Sequence, residues 1–481
     1  MLPSDYDTQR LIAAPDHRLR ERRLDTVRGR LSGSIVANAD RGWDAARRAW
    51  NRAATQRPPL VVFPETVDDI VEIVAFARAE GLQVVPQNTG RGAAALGPIE
   101  DAVLVRSARM SRVEIDASGR RARVEAGAIW GSVQSAAAAH GLAGLAGTSP
   151  EIGVVGYTLG GGLGWLSRRY GFACNSVLAM DVVTADGRAL RVDDDHEPDL
   201  FWALRGGGGD FAIVRALEFA LYPVRELYAG AMYWPHERAA EVLEAWQAWT
   251  TAVPDTTSSI GRILHVPSSA HVPVTMRGRS FVAVEAACMT TEDEADESLR
   301  PLRELRPEID TFAMMPPVEL GELHLDPVEP MPVHFDGWLL EDLPAAAIEA
   351  MLGSAGPASS SALMSVELRH LGGALAEGGP GHGALASVDA GFAAVTLGVA
   401  PDGDLAPVER QSARVRSALA PWTARQNYPN FAEERPDGAS IYLGETLERL
   451  RRVHEAYDPG DLIRSGRPVA TGAAGRTATR P

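Results

Sequence analysis

Residues 88–97 read NTGRGAAALG, a lone guanidinium, Arg91, between two glycines. Glycine bares the main chain and tolerates positive φ, at a cost of about 0.5–1 kcal/mol wherever regular structure would serve. Two more glycine-rich stretches, GTSPEIGVVGYTLGGGLGWLSRRYG (147–171) and RGGGGD (205–210), stand in the same first half. Three such clusters point to a large, flat or phosphorylated ligand lying on exposed main chain rather than to tight turns alone. A second pattern, VELRHL (366–371), alternates. As a strand it turns Glu367, Arg369 and Leu371 one way and Leu368 and His370 the other. Glu367 and Arg369 then either pair with each other or meet a ligand, and His370 is expected to be a hydrogen-bonded structural residue.

Composition narrows the chemistry. The chain has 481 residues, no lysine, and 47 basic residues that are all arginine. Schiff-base catalysis and the GxxxxGK[ST] phosphate loop are therefore excluded. With 63 acidic residues the formal net charge is −16, so no nucleic-acid partner is expected. Cys174 and Cys288 are too few for a disulfide framework or a four-cysteine zinc site, and no metal is expected. MLPSDYDTQR carries no apolar leader and no run of about 18 apolar residues follows, so neither export nor membrane insertion is expected, and the location is read as cytoplasmic.

These clusters need a scaffold. LVVF (60–63), TVDDIVEIVAFARAEG (66–81) and LQVVP (82–86) read as strand, helix and strand, with Thr66 and Asp69 as a capping box and Gly81 as the stop. Val67, Ile70, Val71, Val74 and Ala77 share the helix's apolar face. The Arg91 loop leaves the second strand. Residues 1–57 read as a helical lead-in with GWDAARRAWN (42–51) as one element. Strands at 102–107 and a hairpin RVEID…ARVEAG follow, then a helix at 129–141 and a hairpin turning on Asp186-Gly187. After Pro223 the glycine clusters stop, and long strands alternate with amphipathic helices. The fold class is α+β. A domain at 1–226, with its core at about 56–226, is followed by an antiparallel-sheet-and-helix domain at 227–424; a segment at 425–469 completes the first, and 470–481 is read as a disordered tail.

A nicotinamide site would need GxGxxG after the first strand, and PETVDD stands there instead. The motifs FPETVDDIVEIVAFARAEGLQVVPQNTGRGAAALG, GTSPEIGVVGYTLGGGLGWLSRRYG, DVVTADG and ALRGGGGDFAIV resemble the FAD domain of the vanillyl-alcohol-oxidase superfamily. VELRHLGGALA, NYPNF and YDPGDLIRSGRPV narrow the resemblance to the berberine bridge enzyme-like branch, over residues from about 40 to 469. The resemblance implies that the main chain of Gln87, Asn88, Thr89, Gly90, Arg91, Gly92 and Ala93 wraps the FAD diphosphate. It implies that Thr148, Ser149, Gly153, Gly156, Thr158, Gly161 and Gly162 run along the ribityl chain and flavin. It also implies that the backbone of Ile213 and Val214 meets the ring, and that Tyr428 and Asn430 return to it as cofactor contacts and catalytic residues. Tyr428 is the first choice for the base, which calls for a cation or hydrogen bond to bring its hydroxyl below the usual value near 10. Glu367 and Arg369 would line the substrate pocket.

Several positions depart from the family pattern. Arg91 stands where many members carry a flavin-linking histidine and Ser149 where they carry a linking cysteine. Neither side chain is suited to that bond, so FAD is expected to be noncovalent, needing about 8 kcal/mol of net binding for micromolar affinity. Arg91 then has three readings: a phosphate partner, a cation near the flavin N1 and C2 carbonyl, or a side chain turned to solvent. Gly466 and Asp210 replace common asparagines, and Asp210 is expected to point away from the ring. The expected activity is hydride transfer from a small molecule to flavin with reoxidation by molecular oxygen, a tailoring step in natural-product or antibiotic biosynthesis. The alternatives are a flavin-containing non-redox cyclase and a small-molecule-binding protein on the same fold.

Overall fold

The computed structural model describes residues 17–268, 272, 274–432, 438–466 and 469. The N-terminal decapeptide and the tail from 470 lie outside the described residues. The capped segment forms the helix Val67–Glu80. Thr66 Oγ1 accepts from the Asp69 N–H at 3.2 Å, Asp69 accepts in return from the Thr66 N–H, and Gly81 closes the last turn at φ 65°. Ile70, Ile73, Val74, Phe76 and Ala77 are buried, whereas Val67 and Val71 are only partly so. The buried face is wider than the expected stripe because the helix is packed from two sides. Val84 and Val105 of one sheet and Val183 and Ile213 of another share its cluster.

The first sheet has four strands in the order Ser34–Ala37, Leu60–Phe63, Ala102–Arg106, Gln83–Gln87. Its last three strands run parallel, and Ser34–Ala37, which the sequence did not announce, adds antiparallel at the edge. The stretch at 42–51 is not one helix; only Trp43–Ala46 is helical. The chain leaves helical geometry to strap the glycine loop: the N–H of Trp50 donates to Thr89 O at 2.8 Å and that of Asn51 to Gly90 O at 3.4 Å.

The second sheet has five antiparallel strands in the order Val113–Asp116, Arg121–Glu125, Ile213–Ala220, Val177–Val183, Ala189–Val192. The Arg121–Glu125 ladder ends at Glu125 opposite Ala216, so Ile213 and Val214 are paired only on their other side, with Val183 and Val182.

From Leu227 an eight-stranded antiparallel sheet begins. At its centre, Ser280–Cys288, Thr257–His265, Ser365–His370 and Phe392–Val399 are successive neighbours. The helices Ala239–Thr250, Glu292–Arg303, Ala345–Ala355 and Ala406–Leu419 cover one face, burying Trp246, Leu299, Met351, Leu368 and Val415 in one cluster. The alternate residues Arg262, Glu285, Glu367 and Arg369 project from the other face. The chain then returns to the first sheet. Ile463 bridges Val84 in parallel, and Asp210 accepts the N–H groups of Ser465 at 2.7 Å and Val469 at 3.2 Å.

Candidate active site

The Arg91 loop leaves the strand Gln83–Gln87 and is held from outside rather than by its own turns. Among the described residues, the N–H groups of Thr89, Gly90, Arg91 and Gly92 donate to no protein acceptor, while Thr89 and Gly90 offer their carbonyls to the strap. Gly90 has φ 78°, and a Cβ there would lie 2.8 Å from Ala49 Cβ; a Cβ on Gly92 would meet nothing within 4 Å. The result is a short row of backbone donors without a protein acceptor, with open space beside Gly92, an arrangement that suits an anion. Gln87 is buried and amide-paired with Gln56 at 2.9 Å, and Asn88 Nδ2 donates to Ala128 O at 3.1 Å while packing on Gly153. Ala93 opens the one-turn helix Ala93–Leu96.

The second glycine stretch carries the short helix Val154–Leu159 and then Gly160, Gly161 and Gly162. The last two have φ 108° and 84°. The C-terminal segment lands here: a Cβ on Gly161 would lie 3.0 Å from the Tyr428 ring, and one on Gly160 would lie 2.0 Å from Asn430 Oδ1. Asn430 Nδ2 donates to Tyr157 O at 2.8 Å. Tyr428 is 1% exposed, with its ring stacked on Phe172 at 5.6 Å and edge-on to Phe431 at 4.7 Å. Tyr157 Oη and Thr158 Oγ1 are buried beside it with no hydrogen-bond partner. Gly156 faces open space.

The face of the large sheet opposite its helices brings a buried charge network to this point. Arg262 Nη1 donates to Glu285 Oε1 at 2.8 Å. His324 stands between two carboxylates, Nδ1 2.5 Å from Glu285 Oε2 and Nε2 3.1 Å from Glu367 Oε1. Arg369 donates through Nε and Nη2 to Glu367 Oε2 at 3.0 and 2.7 Å. Two nitrogens each facing a carboxylate oxygen make His324 an imidazolium. Arg262 Nη1 also lies 2.9 Å from Nδ1, a donor–donor approach that its bonds to Glu285 and the His324 carbonyl hold in place. Burial acts against the His324 charge, but the two glutamates outweigh it and lift its pKa to about 9. Burial likewise opposes ionisation of Glu367, yet His324 and Arg369 hold it well below the usual carboxylate range. Tyr157 is pushed well above the usual phenol value, by burial first and then by Tyr428, with Arg369 pulling the other way.

The two departures in the cofactor loops meet each other. Arg91 Nη2 donates to Ser149 Oγ and to Pro327 O, both at 3.0 Å, and its guanidinium lies 3.7 Å from the Trp50 ring centroid. Arg91 is half-buried, which corrects the solvent-turned reading. Its Nε is a buried donor without a protein partner. Thr148 Oγ1 donates to Asp326 at 3.0 Å. Asp210 points to the C-terminal segment. His370 is not hydrogen-bonded as expected: its Nδ1 is buried without a partner, the ring stacks on Phe392 at 5.6 Å, and burial, then Arg168, lowers its pKa to about 3.

Arg262, Glu285, His324 and Tyr157 escaped sequence reasoning. For Arg262 and Glu285 a signal existed: each is the lone charge inside an apolar strand, SIGRILH and FVAVEAAC, and such a charge needs a buried partner. His324 in GELHLDP offers no comparable signal.

FAD fits this arrangement. The donor row at 89–92 suits a diphosphate, the open space at Gly156 suits a close approach to the main chain, and the unpaired buried atoms Arg91 Nε, Tyr157 Oη and Thr158 Oγ1 would each cost about 1–3 kcal/mol if nothing met them. Fold and site together define a two-part chain in which an N-terminal unit is completed by the C-terminal segment, with an antiparallel sheet inserted between them. The profile of the FAD binding domain family matches residues 58–193. (R)-6-hydroxynicotine oxidase of Paenarthrobacter nicotinovorans is 33% identical over 205 residues, 42% of this chain and 45% of that one. The matched part spans about half the length of such curated relatives. The structure of 6-hydroxy-D-nicotine oxidase from Arthrobacter nicotinovorans superposes with a TM-score of 0.78 at 25% identity, covering 90% of this chain and 97% of that one. BBE-like 1 of Physcomitrella patens gives 0.80 at 19% identity, covering 93% and 99%. The chain carries an FAD-binding domain and has the fold of the berberine bridge enzyme-like FAD-linked oxidoreductases. No helix among the described residues is long and apolar enough to cross a membrane.

Proposed function

We propose that this chain is an FAD-dependent oxidoreductase that oxidises a small organic molecule in a natural-product tailoring step, with noncovalent FAD and molecular oxygen as final acceptor. The observation that carries the reading is the convergence of Tyr428 and Asn430, from the C-terminal segment, on Gly160 and Gly161 of the second glycine stretch. Bound FAD supplies the hydride acceptor and the route to oxygen. The rest falls to the chain. The N–H groups of residues 89–92 hold the diphosphate, with Gln87, Asn88 and Ala93 fixing the loop's ends. The main chain of Gly153, Gly156, Gly161 and Gly162, and that of Ile213 and Val214, lies along the ribityl chain and ring, with Thr148, Ser149 and Thr158 beside it. Tyr428, as the phenolate, takes the substrate proton on Oη. Asn430 holds the tyrosine over the glycines, and Tyr157, kept neutral by burial, offers its hydroxyl as a hydrogen-bond donor. Burial of Tyr428 excludes bulk water from the transfer.

The noncovalent assignment rests on Arg91 and Ser149. The side chains at the two linking positions are a guanidinium and a hydroxyl, and they bond to each other. Acid precipitation of the yellow holoprotein tests it: the flavin is expected in the supernatant, and colour in the pellet would refute it. Anaerobic mixing with a panel of small alcohols and amines tests the activity. Loss of the oxidised-flavin absorbance, followed by peroxide release on aeration, is the expected result. Turnover with an unchanged flavin spectrum would instead identify a non-redox enzyme, and saturable binding without turnover a binding protein.

A further inference from the structure

We propose that the substrate of this site is a small organic carboxylate, seated on the free edge of the Arg369 guanidinium. The proposal rests on the flavin-site reading above and adds to it the charge of the substrate.

The buried network joins three cations, Arg262, His324 and Arg369, to two carboxylates, Glu285 and Glu367. His324 is an imidazolium by geometry, since each ring nitrogen faces a carboxylate oxygen. Asp326, half-buried two residues beyond it, takes the Thr148 hydroxyl and acts on His324, Arg262 and Arg91, and Glu151 acts on Arg91 as well. With Arg91, Asp326 and Glu151 included, four cations face four carboxylates, so the seat of a further anion is set by which cation keeps a free donor rather than by a net charge.

One of these cations is accessible. Arg262, Glu285, His324 and Glu367 are at most 2% exposed, whereas Arg369 keeps 10%. Both Glu367 oxygens are fully engaged: Oε1 takes His324 and Ser365, and Oε2 takes Nε and Nη2 of Arg369. Glu367 therefore has no capacity left for a substrate donor. Arg369 does, because its Nη1 donates to nothing among the described residues and is not sealed from solvent. That guanidinium lies 5.2 Å from the Phe431 ring centroid, Phe431 packs edge-on against Tyr428, and Tyr428 rests on Gly161. The unpaired Tyr157 hydroxyl feels both Arg369 and Tyr428. A carboxylate at Nη1 thus meets a cation and lies near a neutral hydroxyl donor, beside the tyrosine proposed as base.

The test uses holoprotein and three matched pairs that differ in charge but little in shape: formate and formamide, acetate and acetamide, benzoate and benzamide. Binding is read by calorimetry, and flavin content by absorbance on the same samples. At least one carboxylate is expected to bind roughly tenfold to a hundredfold more tightly than its amide, the range of a charge-assisted hydrogen bond. Arg369→Met is expected to abolish that preference while leaving amide binding in place, and Arg369→Lys to keep part of it. Equal affinities within every pair, no carboxylate binding, or an unchanged preference in Arg369→Met would each overturn the proposal. Absence of flavin from the preparation would refute the underlying reading instead, and calorimetry would still decide the carboxylate question.

Discussion

Arg91 and Ser149 close on each other at 3.0 Å, and the Trp50 ring and Pro327 carbonyl complete the contact. Arg91→Ala removes hydrogen bonds from a charged donor and a cation–π contact, so it is expected to lower stability by about 1–3 kcal/mol, measured by urea unfolding. The double change Arg91→His with Ser149→Cys introduces the two side chains that the family resemblance implies for a flavin link. Part of its flavin is expected to come down with acid-precipitated protein, where the parent leaves all of it in solution. Tyr428→Phe removes only the hydroxyl from a ring already packed on Phe172 and Phe431. Flavin content is expected to hold while turnover falls by about 10²–10⁴-fold, the usual contribution of a positioned base; an unchanged kcat would remove Tyr428 from that role.

At the scale of elements, the glycine run and the charged strands set the site. Gly161 has φ 108°, and a Cβ would lie 2.6 Å from Leu385 and 3.0 Å from Tyr428. Gly161→Ala is therefore expected to displace Tyr428 and to reduce flavin content, whereas Gly156→Ala, at an open position, keeps the fold and reports only on what approaches the backbone there. The helix Val67–Glu80 and its caps were legible because the capping residues act within four positions of one another. The 42–51 stretch was misread because its fate depends on Thr89 and Gly90, some forty residues away in sequence. Likewise, Glu367 and Arg369 could be assigned to one face by alternation, but Glu367's second partner, His324, comes from a loop no local pattern locates.

Across the whole molecule, two sets of long-range contacts tie the parts together. One is Asp210, which receives the N–H groups of Ser465 and Val469 and so fastens the returning C-terminal segment. The other is the network around His324, whose protonation makes stability depend on pH. Its folded pKa, about 9, lies above its ordinary value of 6.5. Its contribution is therefore complete below about pH 6.5 and is lost as pH rises through 9, a change of about 3 kcal/mol at 1.36 kcal/mol per pKa unit. Glu367 has the opposite sign: its pKa is depressed, so its contribution is present above 4.5 and is lost as pH falls through the lower folded value. Unfolding free energy measured against pH is expected to peak between these limits. His324→Gln should remove the alkaline slope and destabilise by about 3–5 kcal/mol, the cost of breaking a buried pair; a slope that survives the change would belong to another group.

The sequence by itself determined what short-range rules govern: the caps, the alternation of the strands, the glycines that demand positive φ, the want of lysine, and the two unlinkable residues at 91 and 149. Each follows from backbone sterics or side-chain chemistry and needs no distant partner. Only the tertiary structure decided that Arg91 meets Ser149, that Tyr428 lies on Gly161, and that five buried charges join in one network. Those outcomes depend on which segments the packing of three sheets brings within hydrogen-bond range, and burial magnifies their electrostatics once it has done so.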